Sequence, residues 1–129
     1  MARILVVDDE KDFRDALRIF LERRGHEVLE AADGFEAVEL WRAHRPAIVI
    51  LDVFMPGKDG IVALWQIREE DAVAKVIVVS AGKGTPWSRR RIDKRQALEV
   101  ARDFGADAAF AKPVEPSRLM EAVDSMLAN

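Results

Sequence analysis

Residues 3–10 read RILVVDDE: a run of branched apolar side chains behind one arginine, ending abruptly on acids. Continuous rather than alternating hydrophobicity describes a strand buried on both faces, as in a parallel sheet covered by helices. Two runs of the same kind follow, AIVIL (47–51) and KVIVV (75–79), with weaker ones at EVLEA (27–31) and AAFA (108–111). The intervening segments carry helical spacing. Phe13, Ala16, Leu17, Phe20 and Leu21 form one apolar stripe, and Gly25 is a left-handed cap behind it. Asp33 followed by Glu36 reads as a capping-box start for a second helix through Val38 and Trp41, stopped before Pro46.

A third helix is predicted from about Asp59 to Glu70, and a fourth carries Leu98, Ala101 and Phe104 and closes at Gly105. The last starts near Pro116, a favoured first helical position, and buries Leu119, Val123, Met126 and Leu127. Five strands alternating with five helices give an α/β, doubly wound (βα)5 domain over residues 1–129. Right-handed crossovers favour the flavodoxin-like strand order 2-1-3-4-5, with helices on both faces of a parallel five-stranded sheet.

Composition narrows the function. The 129 residues form one ordinary domain, half apolar and one third charged, with a net charge of −3. That balance does not describe a general polyanion binder. Without cysteine there is no disulfide, thiolate catalysis or cysteine zinc site, and the histidines His26 and His44 are too few for most metal cages. No apolar run approaches the length of a signal peptide or membrane span, so the expectation is a cytoplasmic protein without membrane contact.

The chemistry gathers at strand ends. Asp8 and Asp9 follow the first strand and Asp52 the third, the two strands that flank the switch point where open α/β sheets bind ligands. One such aspartate could be a simple turn or cap residue. Three together repel unless a cation offsets them, and a hard divalent ion with oxygen ligands, Mg²⁺, is the economical answer. Ser80 and the small Ala81 follow the fourth strand, and Lys112 and Pro113 follow the fifth. A hydroxyl and an ammonium facing metal-bound carboxylates make a cradle for a tetrahedral dianion.

The segments VVDDE, LDVFMPGKDG, SA and KP, in this order and spacing, resemble the signature of the stand-alone, chemotaxis-regulator-like receiver domains of bacterial two-component signalling, across essentially the whole chain. The resemblance implies that Asp52 is the phosphoacceptor and that Asp9 binds Mg²⁺ directly and Asp8 through water. It further implies that Asp52 and the backbone carbonyl of Phe54 complete the metal site, and that Ser80 and Lys112 contact the phosphoryl group. The implied partners are a sensor histidine kinase or phosphotransfer protein and an unknown downstream protein, reached through the surface of the fourth helix, fifth strand and fifth helix. Such a protein is a regulatory phosphoacceptor, not an enzyme acting on others, and is a monomer or a phosphorylation-linked dimer. The alternatives are a phosphorylation-independent interaction module on the same fold, or the receiver part of a longer transcriptional regulator. A phosphohydrolase of related topology would need a second aspartate where Phe54 stands.

Three departures from the family pattern matter. The aromatic expected three positions before the lysine is replaced by Ala109, with Phe110 one place later and expected in the core. Phe54 and Gly82 cannot orient an attacking water, which predicts slow dephosphorylation. Ser80 and Lys112 lie 32 positions apart, about ten more than the family pattern implies, and long connections of this kind are usually functional or mobile. The excess falls around GKGTPWSRRRIDKRQ (82–96), where six lysines and arginines surround Trp87. In an acidic domain this reads as a solvated loop or a protein-partner contact rather than direct nucleic-acid binding. Trp41 and Trp65, on helix faces, are expected to serve as core or shielding residues.

Overall fold

A computed structural model describes residues 2–53, 60–80, 99, 102–103 and 105–128, and only the backbone of residue 80. The basic stretch 82–96, Phe54, and the Leu98, Ala101 and Phe104 positions of the fourth predicted helix lie outside these residues; 99, 102 and 103 are helical. In chain order the described elements are β1 (Arg3–Val7), α1 (Lys11–Arg23), β2 (Glu27–Ala31), α2 (Gly34–His44), β3 (Ile48–Asp52), α3 (Gly60–Glu70), β4 (Val76–Ser80), β5 (Ala108–Ala111) and α4 (Pro116–Leu127). Here α4 is the last of the five helices predicted from sequence.

The strands pair in parallel in the order β2-β1-β3-β4-β5, as the alternation of apolar runs and amphipathic segments requires. Each central strand feeds two cores because successive side chains point to opposite faces. Leu5, Val7, Val49, Leu51, Val76 and Val78 pack with Ala37, Val38 and Trp41 of α2 and Ala63, Leu64 and Ile67 of α3. Ile4, Val6, Ile48, Ile50, Ile77 and Val79 pack with Leu17 and Leu21 of α1 and Leu119, Met120 and Val123 of α4. Burying each such side chain is worth roughly 1.5–3 kcal/mol. The two layers together clamp the sheet whose C-terminal edge carries the acids.

Helix ends follow the local signals. Gly25 (φ +84°) closes α1 in a Schellman motif: its N–H donates to Glu22 O at 2.9 Å, and that of His26 to Leu21 O at 3.1 Å. The Asp33 side chain accepts from the Glu36 amide at 2.9 Å, as the capping-box reading requires.

Several details differ from the sequence reading. β3 and β4 each sit one residue later than the apolar runs, because register pairs Asp52 with Val79 and Ser80 with Ala111, and ladder hydrogen bonds outweigh polarity at a strand end. Ala16 is exposed, so the α1 stripe is narrower than its periodicity suggests. On α4, Met120 is buried while Met126 and Leu127, in the last turn, are only partly covered and pack against the margin of the core. Trp41 is a core residue as expected, but Trp65 is half exposed on the outer face of α3. Ala109 joins the α2–α3 core and Phe110 the α1–α4 core, the division that strand alternation predicted.

Candidate functional site

Asp8, immediately after β1, is fully buried and held on every side. Its amide donates to Ala31 O at 3.1 Å, and its carbonyl accepts from Arg14 Nη1 at 2.7 Å. Oδ1 accepts from the Glu10 amide at 2.9 Å, and Oδ2 accepts from Lys112 Nζ at 2.7 Å. Arg14 is itself fixed by Glu30 (3.1 Å), which also pairs with Arg18 (2.8 Å), so the first turns of α1 are tied to β2 beneath the site.

Asp52, the last residue of β3, is buried beside it, and the same Lys112 ammonium reaches Asp52 Oδ2 at 3.3 Å. Three strand ends that are far apart in sequence thus converge on one cation. Glu10 stands at the rim, its Oε1 4.0 Å from Lys112 Nζ, and the Phe13 ring lies 4.3 Å from that nitrogen.

The electrostatics are lopsided. Burial pushes the Asp8 carboxyl above its ordinary range, and the hydrogen bonds from Lys112 and the Glu10 amide only partly oppose this. Burial alone would pull the Lys112 ammonium down, but its bond to Asp8 and the charges of Asp52 and Asp8 outweigh it and hold it above its usual value. Both directions favour an extra proton. Among the described residues, Asp8 and Asp52 share the Lys112 ammonium, with Glu10 at the rim. Carboxylate oxygens of Asp8, Asp9 and Glu10 lie within 4.8 Å of one another, and such an all-oxygen donor set suits a hard divalent cation.

Of the residues singled out from sequence, the structure brings Asp8, Asp52 and Lys112 into direct contact and sets Asp9 beside Asp8 on the open side. Phe54 and the Ser80 side chain lie outside the described residues; the Ser80 backbone pairs with Ala111 at the same sheet edge. Sequence reasoning missed Glu10, although the third acid of DDE was the available signal. It also missed Phe13 and Arg14, whose roles arise from tertiary contacts. Gly60 was missed as well: a Cβ there would lie 1.9 Å from Asp52 O and 2.5 Å from Val53 Cα, so the start of α3 can seat against the Asp52–Val53 backbone only without a side chain.

The sequence model described as the response regulator receiver domain matches residues 4–124. The transcriptional regulatory protein PdtaR of Mycobacterium tuberculosis is 38% identical over 123 residues, covering 95% of this chain and 55% of PdtaR, so the chain spans about half of that relative's length. The chemotaxis protein CheY of Bacillus subtilis is 35% identical over 126 residues, covering 97% of each chain. Among solved structures, a LuxR-family two-component response regulator from Aurantimonas sp. SI85-9A1 superposes with a TM-score of 0.82 at 35% identity, covering 99% of this chain and 86% of that one. Among the described residues no helix is long and apolar enough to cross a membrane.

Proposed function

The chain belongs to the response regulator receiver domain family, and on that premise we propose that it accepts a phosphoryl group at Asp52 from a sensor histidine kinase or phosphotransfer protein. Receiver domains are regulatory phosphoacceptors that interact with such donors and generally bind Mg²⁺ through an acidic pocket. The observation that carries the assignment here is the Lys112 ammonium shared by Asp8 and Asp52, at 2.7 and 3.3 Å.

An Asp52 carboxylate oxygen attacks phosphorus in line. An O–P bond forms as the bond to the donor imidazole or carboxylate breaks, and the leaving group takes the electron pair. Lys112 already lies against the nucleophile and donates to the phosphoryl oxygens, with the Ser80 hydroxyl as a second donor. Asp8, Asp9, Asp52 and the Phe54 carbonyl would hold Mg²⁺, with Glu10 beside them. Bound there, the ion would supply positive charge to the acidic cluster beside that of Lys112.

The protein assists only its own phosphorylation and dephosphorylation. Phe54 and Gly82 leave an attacking water unoriented, so the acyl phosphate is long-lived. Residues 1–129 act as one receiver unit in the cytoplasm, as a monomer or phosphorylation-linked dimer. They signal to protein partners through the fourth predicted helix, β5 and α4.

The test is incubation with Mg²⁺ and a small acyl phosphate, followed by intact mass measurement. A single phosphoryl adduct, absent from Asp52→Asn, is expected; an adduct on Asp52→Asn, or none on the wild type, refutes the assignment.

A further inference from the structure

We propose that Phe13 is a positioning residue for Lys112 in this phosphoryl transfer, an inference that rests on the acceptor role of Asp52. Lys112 is a compact charge on a long flexible stem. Its ammonium is 2.7 Å from Asp8 Oδ2, 3.3 Å from Asp52 Oδ2 and 4.0 Å from Glu10 Oε1. Carboxylates alone leave it a choice, since Glu10 on the open rim competes for the same charge.

The Phe13 ring, 4.3 Å from Nζ, supplies an uncharged attraction. Phe13 is half-buried and packs against the α1–α4 core, so the ring is anchored from behind.

The chemistry gives this contact a purpose. When Asp52 Oδ bonds to phosphorus, Lys112 must exchange its Asp52 contact for a phosphoryl oxygen. Hydrogen bonds are directional and break during that exchange. The attraction of a ring face is broad, and holds the ammonium in the pocket while its partners change. The same property separates Phe13 from a residue that merely fills space: loss of the ring slows the transfer step and leaves donor and ion binding alone.

The test compares wild type, Phe13→Leu and Phe13→Trp, with Phe13→Met as the substitute should the leucine variant fold poorly, as judged by thermal melting. Phosphoryl incorporation from a small acyl phosphate is measured across donor concentration, Mg²⁺ affinity by calorimetry, and the Lys112 ε-methylene shift by NMR without donor. The expected result is a ring-current upfield shift in wild type that Phe13→Leu loses. Its rate at saturating donor falls about three- to tenfold. Half-saturation and Mg²⁺ affinity stay within about twofold, and Phe13→Trp restores the rate.

A leucine variant at full speed, a tryptophan variant as slow as leucine, or an unshifted Lys112 in wild type overturns the proposal. Failure of the wild type to take up phosphoryl overturns the acceptor reading and the kinetic role with it. The donor-free NMR shift tells that failure apart from an error in the Phe13–Lys112 contact.

Discussion

The two ends of the sheet handle charge in opposite ways. At the N-terminal edge of the strands, Arg68 of α3 donates to Ala72 O at 2.9 Å, Ala74 O at 2.6 Å, Gly105 O and Asp107 Oδ2. Asp107 also accepts from the Val76 amide at 2.8 Å, and Lys75 donates to Met126 O near the end of α4. These cations close turns by satisfying backbone carbonyls. At the C-terminal edge, Asp8 and Asp52 are buried with Asp9 beside them, and Lys112 is the cation they share. Among the described residues, one edge spends its cations on backbone carbonyls, whereas the other gathers buried carboxylates around a lysine. The difference fits the proposed division, with chemistry at the acidic edge and stability at the other.

The largest effect that tests this division is on rate. Lys112→Ala removes the donor lying against Asp52, the proposed nucleophile, and its phosphorylation rate should fall by about a hundredfold or more, the usual loss for one well-placed donor. Quenched time courses with a small acyl phosphate measure it. A rate near that of the wild type would mean that the convergence of three strand ends on Lys112 is structural only.

How much of this contrast was readable in the sequence follows from the range of the interactions. β1, β2 and β5 were located to the residue because the runs RILVV, EVLEA and AAFA are bounded by turn-forming or charged residues. Asp8, Asp52 and Lys112 could be brought together because parallel topology places all strand ends on one edge. Trp65 could not be placed, because GIVALWQIREE is apolar on most faces and its spacing names no single buried stripe. The Arg68 clamp was equally illegible. An arginine late in a helix looks solvated, and only the fold brings Gly105 and Asp107 to it, 37 and 39 positions away. Gly60 needed the path of the Asp52–Val53 backbone, which no local pattern encodes.

Arg68 gives the next test. Arg68→Ala leaves the carbonyls of Ala74 and Gly105 and one oxygen of Asp107 without their charged donor. It should lower unfolding stability by about 2 kcal/mol, read from denaturant midpoints at unchanged slope. Phosphorylation of the folded variant should stay within about twofold of wild type. A rate loss as large as that of Lys112→Ala would show that the two edges are coupled and that labour is not divided between them.

The smallest effect is the ion's own. If the acidic edge holds the ion, Mg²⁺ should stabilise the folded chain, by about 1.4 kcal/mol when free ion is tenfold above its Kd, and equally in wild type and Arg68→Ala. Its pH dependence follows from Asp8. Burial raises the folded-state pKa of this carboxyl above the unfolded 3.8, so without the ion the folded state holds the extra proton between those two values. The corresponding stability is present at low pH and is lost as pH rises through the folded pKa. The ion binds the deprotonated carboxylates and must displace that proton. The Mg²⁺ increment should therefore be full above the folded pKa of Asp8 and shrink as pH falls through it, as paired thermal melts with Mg²⁺ and with chelator would show. An increment that persists undiminished down to the unfolded value would place the ion away from Asp8.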